Sequence, residues 1–265
     1  MKSHIPRKRF GQHFLQDQGV IHDIIMAIRP TASDVLVEIG PGLAALTEPL
    51  TQYVQPLHAI EIDRDIVKRL LTRFSTDQLV IHETDALQFD FAQLRSHIAP
   101  QGRLRIVGNL PYNISTPLLF HLAQFREAIV DMHFMLQKEV VSRMVARPAS
   151  SDYSRLSVML QYHFAMHNVL DVPPCAFYPP PKVNSAVVRM HPYATPPYLA
   201  KDERLFAQLI GQAFSQRRKT LRNNLRALVT EEQFTAVNID PSRRPETLHV
   251  EEFVRLSNIL QTLQY

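Results

Sequence analysis

The chain has 265 residues, 45% of them hydrophobic, a formal net charge of +4 and a single cysteine, Cys175, which is enough to bury one large core or a large and a small one and excludes a disordered chain. One thiol excludes an internal disulfide and a cysteine-based zinc site, and the expected role of Cys175 is that of a small buried residue in a reducing cytosol. No apolar run is long enough to span a membrane and the start of the chain lacks the apolar segment of a secretory signal, so a cytoplasmic protein is expected, with a mild basic charge that suits a polyanionic partner without demonstrating one.

Residues Met1 to Gln16 are basic and free of acids. A mitochondrial leader shares that composition, but Phe10 to Leu15 reads as part of a site, not as a disposable segment. Four apolar segments follow, Val35–Ile39, Leu57–Ile62, Leu79–Ile81 and Leu104–Val107, alternating with stretches of helical pattern. That alternation predicts a doubly wound, mostly parallel α/β sheet. A further strand is expected over Ile129–Leu136, a helix over Tyr153–Phe164, and two more strands near Asn168–Val172 and Ser185–Met190, which makes seven strands in all. His191–Tyr198 carries three prolines and no helix signal. Beyond it Phe206, Leu209, Ile210, Ala213 and Phe214, then Phe253, Leu256 and Leu260, repeat at helical spacing. The expected organisation is a sheet domain over 1–190, a linker over 191–198 and a small helical domain over 199–265.

The first apolar segment runs into Glu38-Ile-Gly-Pro-Gly-Leu-Ala-Ala-Leu-Thr47, a turn of small residues from which a helix begins. Gly40 and Gly42 let the backbone come close to a bound nucleotide. About twenty residues on, Glu61 ends the second segment, where a carboxylate accepts the hydroxyl hydrogens of a ribose. Asp85 follows the third segment, placed for an adenine edge, with Ile62 and Ala86 to flank the ring. The neighbouring Asp63 and Asp65 are read as helix N-cap and first-turn residues. All these positions fall on the carboxyl edge of one sheet, where open parallel sheets bind ligands.

After the fourth segment comes Gly108-Asn-Leu-Pro-Tyr-Asn-Ile-Ser115. Pro111 stiffens a turn that presents Tyr112 as a stacking face, while the side-chain carbonyl of Asn109 and the backbone carbonyl of Leu110 can accept from the amino group of a base. A plain helix cap accounts for Ser115 and Thr116 but leaves Asn109 and Tyr112 unexplained.

Taken in order, Arg9–Leu15 (RFGQHFL), Glu38–Thr47 (EIGPGLAALT), Gly108–Ser115 (GNLPYNIS), Phe177–Val183 (FYPPPKV) and Gln216–Thr220 (QRRKT) resemble the small-subunit ribosomal RNA adenine N6,N6-dimethyltransferase family over almost the whole chain. The resemblance implies S-adenosylmethionine as methyl donor, no metal, and two adjacent adenines in a hairpin loop near the 3′ end of 16S RNA in a small-subunit precursor as acceptors. It places His13 and Leu15 with Gly40, Gly42, Glu61, Asp85 and Asn109 around the donor, and Tyr112 with Phe177 around the adenine. Family members carry His or Asn at position 13, so His13 is assigned binding and not proton transfer. Many carry a third glycine where this chain has Ala44, and no loss of binding is expected from the difference.

On this reading methyl transfer is an in-line displacement governed by positioning. Asn109 and Leu110 would hold the amino nitrogen pyramidal, its lone pair on the methyl group, with carbonyls aimed at developing positive charge. The base must leave its stack, at a cost of about a few kcal/mol that aromatic stacking offsets in part. Arg217, Arg218, Lys219, Arg222 and Arg226, with no acid among them, are expected on one helix as a phosphate-binding stripe. A second basic group, Lys2, Arg7, Lys8 and Arg9, would meet RNA beside the active site, and both groups would add affinity more than sequence specificity. The competing readings are a large-subunit RNA methyltransferase, a DNA adenine methyltransferase, an assembly factor released by methylation, and a nicotinamide-dependent oxidoreductase, which leaves the Asn109–Tyr112 turn without a purpose. Nothing in the sequence requires a dimer, so a monomer is expected.

Overall fold

The computed structural model describes residues 13–216 and 218–261. In chain order the sheet domain runs β1 (Phe14–Leu15), α1 (Gln18–Ile28), β2 (Val35–Ile39), α2 (Thr47–Leu50), β3 (Leu57–Glu61), α3 (Arg64–Arg73), β4 (Leu79–Glu83), α4 (Phe91–Ile98), β5 (Leu104–Asn109), α5 (Ser115–Ala123) and β6 (Ile129–Gln137). Then come α6 (Lys138–Val145), α7 (Arg155–His163), β7 (Phe164–Val172), β8 (Phe177–Tyr178) and β9 (Ser185–Pro192). The helices after β9 are α8 (Glu203–Ala213), α9 (Leu221–Leu225), α10 (Glu231–Ala236) and α11 (Val250–Gln261).

Seven strands form one sheet in the order β4-β3-β2-β5-β6-β9-β7. The pairs from β4 through β6 are parallel and β9 runs antiparallel to β6, so the doubly wound, mostly parallel sheet expected from the sequence is the one observed. The strand order reverses between β2 and β5, the switch point at which such sheets open a crevice beyond their carboxyl ends. A second, two-stranded ribbon pairs β1 with β8 in antiparallel register, Phe14 with Tyr178 and Leu15 with Phe177. The sequence pattern did not reveal it, because strands of two residues carry no periodicity.

Local signals set the helix starts. Asp17 caps α1 by accepting from the Val20 amide, Asp90 caps α4 by accepting from Gln93, and Asp63 caps α3 with Asp65 in its first turn. Such caps satisfy amide groups that have no intrahelical partner. Cys175, expected to be buried, is exposed on the single turn Pro174–Ala176.

Contacts group the chain into two compact units. One takes Met166–Pro192 with the chain up to Val141, and the other joins Ser142–Ala165 to the chain from Tyr193 onward. The linear boundary expected at 190 therefore cuts differently from the contacts. The reason lies in α7, whose Val158 and Tyr162 belong to one core with Phe206, Leu209, Ile210, Phe253 and Leu256. The Tyr162 and Phe206 rings lie 4.7 Å apart. An apolar helix face announces burial but not its partner, so only packing could assign it. Among the described residues, no helix is long and apolar enough to cross a membrane.

Candidate functional site

A cavity of about 270 Å3 opens at the switch point, bounded by β1, the loop after β2, and the ends of β3, β4 and β5. Gly40 (φ +68°), Gly42 (φ +54°) and Ala44 (φ +72°) all adopt the left-handed region in the turn after β2. Glycine does so freely, whereas Ala44 takes up that geometry at a steric cost. Space is limiting too: a Cβ on Gly42 would lie 3.4 Å from the Phe14 ring, and one on Gly108 would lie 2.5 Å from the Ile39 carbonyl oxygen. Gly108 thus allows β5 to approach β2 at the site, a role sequence reasoning did not assign.

Of the polar groups in the donor half of the cavity, Glu61 and Glu38 are buried and Asp85 is half-buried. Glu61 accepts from the Asp63 amide at 2.8 Å. Burial pushes its carboxyl above the usual range, and the amides of Asp63, Ile62 and Gly42 pull it back. Glu38, also on the cavity wall, accepts from the Thr47 hydroxyl at 2.7 Å, and burial raises it to about 7 in spite of that bond, with Glu61 adding to the rise. Asp85 lies two residues past β4, with Oδ1 accepting from the Leu87 amide at 2.9 Å. Beside them Ile62 is 48% exposed although it lines the cavity. An apolar side chain so placed gains by being covered with a planar apolar surface.

The acceptor end is held as firmly. Asn109 ends β5, and its Nδ2 donates to the His13 carbonyl at 3.1 Å. That bond leaves Oδ1 as the atom with which Asn109 can accept. Leu110 is fixed by its amide to the Met135 carbonyl at 3.1 Å, and Pro111 lies on the cavity wall beside it. The Tyr112 hydroxyl is 2.7 Å from Ser185 Oγ, and its ring stacks on His13 at a centroid distance of 5.8 Å and 27°. Burial raises the Tyr112 phenol above its usual range, while the Ser185 hydroxyl pulls it down.

His13, Leu15, Gly40, Gly42, Glu61, Asp85, Asn109, Leu110, Pro111 and Tyr112 therefore line one cavity. Phe177 does not: it is 4% exposed and packs in the apolar core with Leu15 and Ala176. Its register opposite Leu15 turns it inward, leaving Tyr178 outside. Ser185 and Glu38 were missed by sequence reasoning. A buried serine at a strand start and a glutamate inside an apolar strand carry no local sign of what they face.

Arg7, Lys8, Arg9 and Arg217 lie outside the described residues. In the second unit Arg218, Lys219, Arg222 and Arg226 are exposed. The continuous basic helix expected there is replaced by a turn followed by the short α9. Buried Asn224 shapes that turn by donating to the carbonyls of Ala213 at 2.6 Å and Gln216 at 3.1 Å. Arg222 is paired with Glu231 at 2.7 Å, an acid too distant in sequence to be weighed with the cluster.

Comparison with known proteins agrees with this geometry. Two relatives called ribosomal RNA small subunit methyltransferase A resemble the chain closely. The one from Laribacter hongkongensis is 60% identical, covering 97% of each chain, and the one from Chromobacterium violaceum is 58% identical, covering 98% of this chain and 97% of its own. A crystal structure of a dimethyladenosine transferase from Plasmodium falciparum superposes with a TM-score of 0.75 at 26% identity, covering 92% of this chain and 96% of its own. Residues 3–262 match the family described as ribosomal RNA adenine dimethylase, and the chain belongs to that family.

Proposed function

We propose that this protein transfers methyl groups from S-adenosylmethionine to the N6 amino groups of two adjacent adenines in a hairpin loop near the 3′ end of 16S ribosomal RNA. It acts as a monomer on a small-subunit precursor in the cytoplasm. The observation that carries the reading is the meeting of two turns on one cavity, Gly40–Gly42 on one side and Asn109–Tyr112 on the other. Nucleotide-binding sheets in general supply the first, whereas an amide carbonyl beside a stacking ring serves a planar amine.

The bound donor would supply a methyl group on a sulfonium, which departs as a neutral thioether and needs no acid. Glu61 would accept from the ribose hydroxyls, and Asp85 would meet the adenine edge between Ile62 and Ala86. Asn109 Oδ1 and the Leu110 carbonyl would each accept an N–H of the acceptor amine and stabilise the positive charge that grows on it. His13 does two things at once. Its backbone carbonyl orients the Asn109 amide and its ring backs Tyr112, so one residue couples the acceptor carbonyl to the stacking face. Arg218, Lys219 and Arg226 would contribute RNA affinity through phosphates.

The test is transfer of labelled methyl from S-adenosylmethionine to unmethylated small subunits, large subunits, free ribosomal RNA and DNA. Labelling confined to small-subunit adenines, and reduced about 100-fold or more by Asn109→Ala, is expected. Labelling of large-subunit RNA or DNA would overturn the substrate. No labelling at all would leave an assembly factor as the better account.

A further inference from the structure

The loop between β8 and β9 is anchored at one end to His13 and at the other to Tyr112. At its start the Pro179 carbonyl lies 2.8 Å from His13 Nδ1, and since a carbonyl only accepts, Nδ1 carries the hydrogen. The His13 ring stacks on Tyr112. At its end Ser185 Oγ meets the Tyr112 hydroxyl, and the Asn184 carbonyl accepts from the Lys138 amide at 2.9 Å. Tyr178, the last residue of β8 and just ahead of the first anchor, is 61% exposed, and between the anchors the loop exposes a cation, Lys182, and an apolar side chain, Val183.

Tyr178 is more exposed than Val183, and core packing does not account for it. Its cross-strand partner Phe14 shares its face of the ribbon, and the Phe14 ring lines the cavity beside Gly42. Tyr178 does not itself line the cavity, but it immediately precedes Pro179, whose carbonyl meets the His13 ring that stacks on Tyr112. A base drawn out of its stack exposes the faces of the bases that flanked it. An exposed aromatic with a nearby ammonium is the combination that holds single-stranded nucleic acid, because every base has a stacking face and every linkage a phosphate.

We infer that Tyr178 is a second stacking platform, which receives the nucleotide next to the acceptor adenine, with Lys182 against its phosphate. Tyr178 is thus a substrate-positioning residue: it holds the strand while Tyr112 and Asn109 hold the reacting base. The inference rests on the RNA adenine reading above and adds to it which residue grips the neighbouring nucleotide.

The experiment uses the full-length protein and unmethylated small subunits assembled with RNA that is either intact or abasic, on each side in turn, next to the acceptor adenine. On intact subunits Tyr178→Ala should raise KM about tenfold, the size of one lost base–aromatic stack, while Tyr178→Phe stays within about twofold of the unaltered protein. The Kd for S-adenosylmethionine should be unchanged in both variants, which separates a contact with RNA from damage to the fold. On the abasic subunit that removes the stacked base, the unaltered protein should lose the same factor and Tyr178→Ala nothing more, as expected when two changes delete one contact. Normal KM for Tyr178→Ala on intact subunits, or losses that multiply on both abasic subunits, would overturn the inference. Failure of the unaltered protein to label intact subunits would instead overturn the methylation reading, and this inference with it.

Discussion

The two ends of the same sheet treat buried carboxylates in opposite ways. At the amino ends of the strands, Asp131 is bound by Arg105 through Nε at 2.8 Å and Nη2 at 2.9 Å, and Asp34 by Nη1 at 2.8 Å. Arg105 also donates to the Ile28 carbonyl at 2.6 Å. Burial alone would raise Asp131, but the guanidinium outweighs it and holds the carboxyl below its usual range. At the carboxyl ends, Glu38 and Glu61 have only a hydroxyl and backbone amides for partners, and both are raised. One end satisfies its charges internally and so contributes stability. The other leaves hydrogen-bonding capacity and apolar surface open, as a ligand site requires.

The contrast can be broken most forcefully at Arg105. Arg105→Ala should cost about 3–5 kcal/mol by stranding the buried Asp131 carboxylate and unpairing half-buried Asp34, read as a lower denaturant midpoint, while methyl transfer per folded molecule is retained. A smaller effect is expected at the opposite end. Glu38 has its ordinary value near 4.5 raised to about 7, so its contribution to stability is complete below about pH 4.5 and is lost as the pH rises through 7. Glu38→Gln keeps an oxygen for Thr47 and removes that loss. Without ligand the variant should gain about 1–3 kcal/mol over the unaltered protein at pH 8 and little at pH 5, measured by thermal unfolding at both. An equal difference at the two pH values would show that Glu38 does not titrate in this window. The smallest effect concerns backbone strain: Ala44→Gly relieves φ +72° and should stabilise by about 0.5–1 kcal/mol, less the lost burial of one methyl. Melting curves that show destabilisation would mean that the methyl contributes more than the strain costs.

What was legible in the sequence follows from which interactions are local. Val35–Ile39 appears as a strand with the expected bounds, and Leu104–Val107 differs only by extension to Asn109, because apolar runs between turn residues determine buried strands. Gly40, Gly42 and Asn109 were readable because a turn demands particular residue types at fixed spacing. Phe177 was not, since its direction depends on pairing with Leu15 across a long stretch of chain. Val158 and Tyr162 likewise showed an apolar helix face but not the core it joins. Arg222 seemed free in the sequence and is paired, because Glu231 reaches it only after the chain turns between α9 and α10.

The β1–β8 ribbon has a consequence for synthesis. The glycine turn and the acceptor turn are made early, but His13 gains its Pro179 partner across 166 positions and Tyr112 its Ser185 partner across 73. A nascent chain that has passed Tyr112 holds every group proposed to touch the donor, yet lacks the Pro179 carbonyl and the Ser185 hydroxyl that anchor the His13 ring and the Tyr112 phenol. Competence arrives late in translation, when the segment that ends at Ser185 emerges and closes the ring of contacts. Truncated products that stop short of it would be left without the geometry to modify RNA.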